Sequence, residues 1–299
     1  MPSLIDLHSH STISDGLLTP DELVTHAAAK GVRVLALTDH DDTAGLAEAK
    51  VVAARHGIQL IHGVEISVTW RNRTLHIIGL NIDPDYALLA NGLAAIRAGR
   101  HQRAQGMAAN LDKFGIEGSM EGAYKFARQG IISRTHFARF LIEKGLANNM
   151  RGVFKKYLVK GKPGYFEYRW ADLEDAVSWI TKSGGVAVIA HPGRYDLGRT
   201  NMLLLLEEFR NLGGTAIEVV TGSHTSKQYQ EFAKLSKQFG LQASLGSDYH
   251  GPSLSYMEMG RLPDLPSGCV PVWQHWPEVT KILSESQLDS ELQPSSEVP

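Results

Sequence analysis

Short apolar runs alternate along the chain with segments of helical periodicity. Between most of the runs, apolar residues recur at the three- and four-residue spacing of an amphipathic helix. Alternation of this kind is typical of β/α units that build a parallel sheet. The pattern therefore predicts an α/β fold. The predicted strands lie at residues 4–7, 33–37, 58–64, 74–80, 186–190, 215–220 and 241–245.

Several predicted helices carry capping signals at their ends. Thr19 can cap the first helix, and Glu22 completes a capping box. Pro20 suits the first helical position, and Gly31 ends the helix. Further helices are predicted over 44–56, 173–183, 201–211 and 226–239.

The middle of the chain breaks this rhythm. Residues 96–164 keep helical periodicity without a convincing strand, and their glycines predict several short helices. We therefore expect a discontinuous barrel domain at 1–95 and 165–283, with a small, mainly helical insertion at 96–164. Residues 284–299, rich in Ser, Glu and Pro, are expected to form a disordered tail. The glycines that divide residues 96–164 into short predicted helices are Gly99, Gly106, Gly115, Gly118 and Gly122.

Composition narrows the possible classes of protein. With 43% hydrophobic residues and a net charge of −2, the chain is too apolar to be disordered throughout and lacks a large basic face for nucleic acid. The single cysteine, Cys269, excludes an internal disulfide framework. Polar residues interrupt the N-terminus before a signal peptide could form, and no apolar run is long enough to span a membrane. A cytoplasmic location without a membrane partner is expected.

A basic segment closes the helical stretch. Residues 151–162 contain one arginine and four lysines but no acidic residue. Such a run is usually a solvated helix face. It would also serve as a cap over an anionic substrate. Both interpretations stay open from the sequence.

Histidines and carboxylates are concentrated where the predicted strands end. In a β/α barrel the carboxyl ends of the strands face one mouth, so these side chains would meet there. Burying so many ionisable groups is unfavourable unless something compensates them, and divalent metals with imidazole and carboxylate ligands do so. The candidate ligands are His8, His10, Asp15, His40, Glu65, His76, His191, Asp248 and His250.

The spacing of these residues agrees with a metal centre. His8 and His10 lie two residues apart on an extended segment, which places both side chains on one face. Asp248 and His250 repeat that spacing. The set is larger than one tetrahedral ion needs and suits two or three ions, with Glu65 able to bridge through its two oxygens.

These residues belong to blocks that resemble the motifs of the polymerase-and-histidinol-phosphatase (PHP) family. The blocks are 6–16, 38–41, 63–65, 191–193 and 246–250. Residues 132–140 and 153–158 further resemble a bacterial group within the family. That group contains 3′,5′-nucleoside bisphosphate phosphatases and 5′→3′ exonucleases that act on short RNA. The resemblance implies a distorted (β/α)7 barrel, similar to a TIM barrel, with a metal cluster at its mouth.

The resemblance also implies how the ligands are shared. One ion would be held by His8, His10, Glu65 and Asp248. A second would share Glu65 and take His76 and His191. A third would take Asp15, His40 and His250. Two or three divalent ions are expected, with Mn²⁺ favoured and Zn²⁺, Fe²⁺ or Mg²⁺ as alternatives, because the carboxylate of Asp15 stands where some members have histidine.

Four other carboxylates lie beside these motifs. Asp39 and Asp41 are expected to orient metal ligands by hydrogen bonding. Asp6 and Glu218 either do the same or hold loops in place.

Clustered divalent ions predict phosphoester chemistry. They supply hydroxide near neutral pH and neutralise phosphoryl oxygens during an in-line attack. We expect direct attack by a metal-bound hydroxide held by Glu65, Asp248 and His191. No covalent intermediate is expected, because the sequence has no serine or cysteine nucleophile signature.

Two arginines are the predicted phosphate ligands. The guanidinium groups of Arg134 and Arg194 can bind phosphate bidentately, and Ser133 and His136 are candidate supporting donors. A second phosphate, remote from the scissile one, would explain two arginines at the mouth. Pairing of Arg134 with a barrel carboxylate is the alternative.

The expected reaction removes the 3′-phosphate of a nucleoside 3′,5′-bisphosphate, such as adenosine 3′,5′-bisphosphate. The alternative is a 5′→3′ exonuclease on short 5′-phosphorylated RNA, since one site could hydrolyse a monoester or a diester. A non-catalytic PHP module and an amidohydrolase are more remote. The amidohydrolase barrels use a bridging lysine, whereas Glu65 takes the comparable place here. The expected partner is a small nucleotide or short RNA, and no protein partner is evident.

Overall fold

The computed structural model describes residues 3–127 and 130–292 and shows a curled sheet surrounded by helices. The strands are β1 (Ile5–Asp6), β2 (Val34–Leu37), β3 (Gln59–Trp70), β4 (Arg73–Leu80), β5 (Ala171–Asp172), β6 (Val186–Ile189), β7 (Ala216–Thr221) and β8 (Gln242–Gly246). The α-helices are α1 (Pro20–Ala29), α2 (Leu46–His56), α3 (Ala87–Lys113), α4 (Ser119–Ala127), α5 (Arg134–Glu143), α6 (Met150–Val153), α7 (Leu173–Lys182), α8 (Gly198–Asn211), α9 (Ser226–Phe239) and α10 (Pro277–Leu292).

The sheet curls until its two edges meet. The strand order is β1-β2-β3-β4-β6-β7-β8, and β5 pairs with β3 outside this path. The backbone N–H of Leu7 donates to the carbonyl of Leu245 (3.1 Å), and that of Asp248 donates to the carbonyl of His8 (3.0 Å). These bonds join the end of β8 to the segment after β1. The sheet is a nearly closed barrel, and the predicted distorted (β/α)7 class is confirmed.

One strand departs from the predicted parallel order. β3 continues to Trp70, and β4 returns beside it, so that β4 runs antiparallel to both β3 and β6. Arg71 and Asn72 form the turn with φ angles of 46° and 61°, as a tight two-residue hairpin requires. The prediction of an all-parallel sheet is wrong here, because a tight turn and not a helix connects these strands. The reversal brings His76, near the start of β4, to the mouth where the parallel strands end.

Three groups of buried apolar side chains stabilise the molecule. The largest lies between the sheet and the surrounding helices, which include α7, α8 and α9. A second lies beneath α1 and α2. The buried members of the third all fall between Ala104 and Leu158, so the helical segment has an apolar interior of its own. The division into a barrel at 1–95 and 165–283 and an insertion at 96–164 stays a prediction.

The insertion contains one long helix where several short ones are predicted. α3 runs unbroken through three glycines spaced by seven residues, because each of them lies under an aromatic ring that a Cβ atom would overlap. Glycine at these positions permits close packing and does not end the helix. Gly115 and Gly118, with φ of 86° and 73°, do lie in a break between helices. The packed pairs are Gly92 with Trp179, Gly99 with Tyr168 and Gly106 with Phe166.

The C-terminal segment is more ordered than the composition suggests. α10 extends through residues 284–292, where disorder is predicted, and Ile282 and Leu283 at its centre pack on the main core. That apolar anchor favours the helix over a free tail. Residues 293–299 lie outside the described residues. Of the helices between residues 3 and 292, none has both the length and the apolar character needed to cross a membrane.

Candidate metal centre

The predicted ligands meet at one end of the barrel. His8 and His10 follow β1, His40 follows β2, and Glu65 lies within β3. His76 lies on β4, and the others follow β6 and β8 or, for Asp15, occupy the loop after β1. The capping box predicted at Thr19 is present and fixes the start of the helix after that loop. The structure therefore brings all the predicted ligands together.

Glu65 lies at the centre of this cluster and is fully buried. Its Oε1 atom is 2.8 Å from Nδ1 of His76 and 2.9 Å from Nε2 of His191. Its Oε2 atom is 2.9 Å from Nδ1 of His40, 3.2 Å from Nε2 of His10 and 3.4 Å from Nε2 of His8. One carboxylate thus faces five imidazoles, as a bridging ligand would.

Two aspartates complete the cluster on either side. Oδ1 of Asp248 lies 3.4 Å from Nε2 of His8 and 3.3 Å from Nε2 of His10. Oδ1 of Asp15 lies 3.2 Å from Nε2 of His250 and 3.8 Å from Nε2 of His40. The carboxylates are therefore distributed through the cluster, each among imidazoles.

Several of these atoms cannot be satisfied by hydrogen bonds to one another and are better suited to bind a metal ion. Nε2 of His8 and Nε2 of His10 are only 3.1 Å apart, and at most one of two neutral imidazoles could donate there. Oε2 of Glu65, Oδ1 of Asp15 and Nδ1 of His40 are buried without a hydrogen-bond partner. Buried polar atoms are rarely left unpaired unless an ion or water satisfies them. The donor set therefore fits divalent cations.

The ligand atoms fall into three overlapping groups, in each of which all atoms lie within 4.8 Å of one another. The group of His8, His10, Glu65 and Asp248 matches the first implied ligand set. The other groups differ slightly from the implied sets. His10 joins Asp15, His40 and His250, and His40 joins Glu65 and His76. His191 keeps its contact with Glu65 but is not part of the third group.

Burial and neighbouring charge have opposing effects on the pKa values within the cluster, so some pKa values rise and others fall. Burial disfavours the charged form of His10, but the neighbouring carboxylates of Asp248 and Glu65 outweigh it and raise the pKa to about 9. Burial dominates at His40 and His191 and lowers their pKa values to about 4 and about 3. Burial also opposes ionisation of Glu65, yet the surrounding imidazoles hold its pKa well below the usual value. The buried carboxylates thus depend on positive charge beside them.

Glu218 and Asp6 support the first pair of histidines. Oε1 of Glu218 lies 2.9 Å from Nδ1 of His8, and its Oε2 accepts the backbone N–H of His191 at 2.5 Å. Glu218 therefore orients one ligand directly and fixes the backbone of another. Oδ1 of Asp6 accepts the N–H groups of Ser247 (2.8 Å) and His8 (3.4 Å), so Asp6 holds the loops together.

Asp39 and Asp41 contact the loops and the helix around the cluster, and not the ligand imidazoles that they were predicted to orient. Asp39 accepts the hydroxyl groups of Ser11 and Ser14, each at 2.6 Å, and so shapes the loop after β1. Asp41 accepts the backbone N–H of Ser67 and pairs with Arg100 of α3. The structure shows Asp41 joining the barrel to the insertion. Neither carboxylate has a hydrogen bond to a ligand imidazole among the described residues.

Three non-glycine residues beside the centre have left-handed backbone conformations. Asp41, His191 and Asp248 have φ angles of 52°, 27° and 55°. Such conformations are unfavourable for side chains with a Cβ and persist only where the surrounding structure enforces them. Two of the three are candidate metal ligands, so the barrel holds these side chains in place at a cost in backbone energy.

A chamber of about 110 Å³ opens above the cluster. Its walls combine candidate ligands with residues of the insertion. The residues that line it are Asp15, His40, Ser67, Thr74, His76, Arg100, Arg103, Ser133, Arg134, Thr135, Phe154, Trp170, His191, Arg194, Asp248 and His250.

The two predicted phosphate ligands occupy this chamber in different ways. Nη1 of Arg194 donates to Oδ2 of Asp248 at 2.6 Å, and the Arg194 side chain is 44% exposed. Arg134 lies with its guanidinium 5.6 Å from the centre of the Phe154 ring. Within the described residues, no carboxylate forms an ion pair with Arg134. Burial and the nearby Arg194 and Arg100 lower the pKa of Arg134.

Ser133 and His136 are arranged around Arg134. The Ser133 hydroxyl donates to Oδ2 of Asp15 at 3.0 Å, and the same oxygen caps α5 by accepting from Thr135 N–H. Nδ1 of His136 accepts the N–H of Ser133 at 3.0 Å, and His136 is only 1% exposed. His136 does not line the chamber. The structure thus gives it a capping role in place of the predicted substrate contact.

Sequence reasoning missed several residues of the chamber, among them Arg100, Arg103 and Trp170. The guanidinium groups of Arg100 and Arg103 lie 5.1 and 5.2 Å from the Trp170 ring. Arg100 is paired with Asp41, whereas Arg103 has no ion pair among the described residues. The three-residue spacing of Arg100 and Arg103 on α3 places both on one helix face and was the available signal. Nothing in the sequence showed that this face meets the barrel.

The basic segment 151–162 is mostly solvated. Lys155, Lys156, Lys160 and Lys162 are exposed, and Lys160 lies 3.6 Å from Glu167. None of these lysines lines the chamber. The interpretation of the segment as a solvated face therefore applies to its lysines.

Comparison with known proteins places this geometry in a family. The model of the PHP domain matches residues 6–186. A 3′,5′-nucleoside bisphosphate phosphatase of Chromobacterium violaceum is 52% identical over 271 residues, covering 90% of this chain and 95% of the relative. A 5′-3′ exoribonuclease, Rnm, of Escherichia coli is 46% identical over 275 residues, covering 91% of this chain and 94% of the relative.

Solved structures agree with these matches. A Chromobacterium violaceum structure, described as an amidohydrolase with bound sulfate and no metal, superimposes with a TM-score of 0.88 at 51% identity. The superposition covers 91% of this chain and 95% of the Chromobacterium violaceum chain. A structure from Bifidobacterium adolescentis at 24% identity shares the fold, with a TM-score of 0.76 over 95% of this chain and 97% of its own. The matched residues and the shared barrel show that the chain belongs to the PHP domain family.

Proposed function

We propose that the protein is a metal-dependent phosphatase that removes the 3′-phosphate of nucleoside 3′,5′-bisphosphates. Adenosine 3′,5′-bisphosphate would give AMP and phosphate. One observation carries the proposal: the histidine–carboxylate cluster shares its chamber with Arg103 and Arg134, which have no carboxylate partner among the described residues. A substrate with two phosphates would place one at the cluster and the other at the arginines.

The relatives support this substrate class. The Chromobacterium violaceum protein that is 52% identical is named a 3′,5′-nucleoside bisphosphate phosphatase. Sulfate, which has the shape and charge of a phosphate group, is bound in the Chromobacterium violaceum structure. The name of the relative favours a chamber built for phosphate groups, and the bound sulfate is compatible with one.

The cluster would hold two or three divalent ions. We propose three ligand sets, of which the first two share Glu65. Nitrogen and oxygen ligands in this mixture suit Mn²⁺, with Zn²⁺, Fe²⁺ or Mg²⁺ as alternatives. When bound, such ions lower the pKa of a coordinated water and neutralise phosphoryl oxygens. The sets are His8, His10, Glu65 and Asp248; Glu65, His76 and His191; and Asp15, His40 and His250.

The protein's own side chains would bind and orient the substrate. Arg103 and Arg134 would hold the phosphate that is not hydrolysed, through charge-assisted hydrogen bonds. Arg194 fixes Asp248 and, being partly exposed, can reach the oxygens of the scissile phosphate. Ser133 positions Asp15, and His136 fixes the backbone that presents Arg134.

The reaction is expected to be a direct displacement by water. Among the described residues that line the chamber, no serine or threonine hydroxyl is hydrogen-bonded to a histidine that could activate it. The Ser133 hydroxyl donates to Asp15 instead, and the Ser67 hydroxyl accepts from Arg100. A phosphoseryl or phosphothreonyl intermediate would need such an activated hydroxyl.

Phosphate release from adenosine 3′,5′-bisphosphate tests the proposal. The purified protein would be loaded with Mn²⁺ and compared on this substrate, AMP and 3′-AMP. Rapid release from the bisphosphate, with slow release from both monophosphates, is the expected result. Equal rates on 3′-AMP and the bisphosphate would contradict the role of the second phosphate.

A 5′→3′ exoribonuclease is the second candidate. The Escherichia coli relative that is 46% identical carries that name. A separate groove that opens from the cluster favours this candidate and is described below. Release of 5′-mononucleotides from a short 5′-phosphorylated RNA would support it, and an intact RNA after long incubation would contradict it.

A further inference from the structure

A groove of about 280 Å³ leads outward from the chamber. It shares Thr135, Phe154, Arg194, Asp248 and His250 with the chamber, so the two spaces meet at the candidate metal centre. Its other walls come from two separate parts of the chain. The residues found only in this outer groove are Met150 and Arg151 of the insertion, and Leu254 and Tyr256 of the loop after β8.

The most unusual wall of the outer groove is Tyr256. Its side chain is 75% exposed, the largest value among the exposed large hydrophobic side chains of the described residues. Such a ring gains nothing from packing in the fold. An exposed aromatic ring beside a basic groove is the arrangement on which proteins stack the bases of single-stranded nucleic acid.

The backbone that carries Tyr256 is tied to the metal centre. The Ser255 hydroxyl accepts the N–H of His250 at 2.8 Å and that of Gly251 at 3.2 Å, and it donates to the Gly251 carbonyl at 3.0 Å. One side chain thus fixes the residue before Tyr256 against a candidate ligand. A ring on a fixed backbone segment loses less conformational entropy when a base stacks on it.

The charge of the outer groove also suits a nucleic acid strand. Arg151 is exposed and Arg194 is partly exposed, so both can face a phosphodiester backbone. Met150, Leu254 and Phe154 supply apolar surface in the same groove. Alternating cationic and apolar surface is what a strand of bases and phosphates requires.

We propose that the outer groove binds the nucleotide that follows the scissile phosphate of a short oligonucleotide, with its base stacked on Tyr256. The inference rests on the proposed phosphoester hydrolysis at the metal centre. A bisphosphate ends at its 3′-phosphate and does not enter the outer groove. A diester continues beyond that phosphate, and the continuation must begin at the cluster, where Asp248 and His250 form the floor shared with the outer groove.

The hydrolysis balances in the following way. The oxygen of water bonds to phosphorus, the bond from phosphorus to the 3′-oxygen breaks, and the 3′-oxygen takes a proton from the water. The products are a 5′-mononucleotide and a strand shortened by one nucleotide, which keeps a 5′-phosphate. The shortened strand can enter again, so Tyr256 serves each cycle.

Substitution of Tyr256 tests the inference. Tyr256→Ala, Tyr256→Phe and Met150→Glu would be compared with the wild type on adenosine 3′,5′-bisphosphate and on a 5′-phosphorylated pentanucleotide RNA. Met150 is the first residue of α6 and is only partly buried against the core of the insertion, and a carboxylate there would repel the strand. A thermal melt of Met150→Glu checks that the fold is kept. Phe114→Ala removes an aromatic side chain that is 60% exposed and lies outside both spaces, and is the matched control.

Stacking contributes enough that Tyr256→Ala should raise the KM for the pentanucleotide roughly five- to hundredfold. Tyr256→Phe should keep most of the wild-type value, and Met150→Glu should resemble Tyr256→Ala. The bisphosphate KM should change less than about twofold. Binding of a fluorescently labelled pentanucleotide, measured by anisotropy in a chelator, should weaken in the same order without any turnover.

The outcomes separate the inference from the proposed function. Tyr256→Ala and Met150→Glu could both leave pentanucleotide binding, pentanucleotide KM and bisphosphate turnover unchanged. That result would overturn the proposed role of the outer groove and leave the proposed phosphatase activity standing. A wild-type protein without turnover on either substrate would overturn the proposed function. In that case the anisotropy series would still show whether Tyr256 binds a strand.

Discussion

Arg134→Ala should weaken the enzyme while leaving the fold intact. Arg134 is the first residue of α5, where the positive end of the helix dipole disfavours a cation. Its guanidinium is near those of Arg100 and Arg194. It forms no ion pair with a carboxylate in the part of the chain that the structure describes. Each of these features disfavours the folded state, and the contact with the Phe154 ring is the one favourable contact of this charge described above, so a role in binding best explains the charge.

The two expected magnitudes have opposite signs. Removal of an unfavourable charge at a helix start stabilises by about 0.3–1 kcal/mol, so the melting temperature should stay constant or rise by a few degrees. A charge-assisted hydrogen bond to phosphate contributes about 1.5–3 kcal/mol. Loss of one or two such bonds should lower kcat/KM for the bisphosphate by roughly ten- to a thousandfold, mainly through KM.

The assay measures phosphate release from adenosine 3′,5′-bisphosphate and from 3′-AMP, beside a thermal melt. Arg139→Ala is the matched control, because Arg139 lies on the same helix with its guanidinium 4.5 Å from the Phe126 ring and does not line the chamber. It should leave both KM values within about twofold. An equal rise of KM on both substrates in Arg134→Ala would refute the reasoning, and so would a melting temperature that falls by many degrees.

Three further predictions concern stability. Addition of Mn²⁺ to chelator-treated protein should raise the melting temperature, and Glu65→Gln should remove most of that rise; equal rises in both proteins would argue against Glu65 as a ligand. Burial lowers the pKa of His136 from 6.5 to about 4, so the unfolded chain binds the proton first and stability should fall as the pH drops through this range. His136→Gln should flatten that dependence in urea unfolding. Gly99→Ala should lower the free energy of unfolding by about 1–3 kcal/mol, because the new methyl group overlaps the Tyr168 side chain. In a chain that already carries Tyr168→Ala, the same substitution should cost less, and equal costs in both backgrounds would refute the contact.

The barrel half of the site was predictable from the sequence because strand ends have a defined place in such a fold. A short apolar run followed by His8 and His10 gives both the element and the position of its ligands. The same reasoning places His40, His191 and Asp248 without knowledge of their contacts. It placed His76 at the mouth for a partly wrong reason, since β4 is antiparallel and presents its beginning there.

The insertion half was not predictable in the same way. A helical pattern shows which face of a helix is apolar, but not which neighbour covers that face. Gly99 and Gly106 therefore predicted helix ends, although aromatic rings cover them. Arg103 was missed for the same reason, because only tertiary packing brings α3 over the mouth. Arg134 was found through a resemblance and not through its periodicity.

The two halves of the site differ in the physical demand that each makes on the fold. The barrel concentrates carboxylates and imidazoles, which need added positive charge to be stable together. The insertion contributes Arg103 and Arg134, which need added negative charge. Among the described residues, the one ion pair of the chamber that joins an arginine to a candidate ligand, Arg194 with Asp248, lies within the barrel. The pair of Arg100 with Asp41 joins the two halves but involves no candidate ligand, so the ligands of the barrel do not neutralise Arg103 and Arg134. A metal ion on one side and a phosphate on the other would satisfy both demands, so the unbound chamber stores unfavourable electrostatic energy that binding releases.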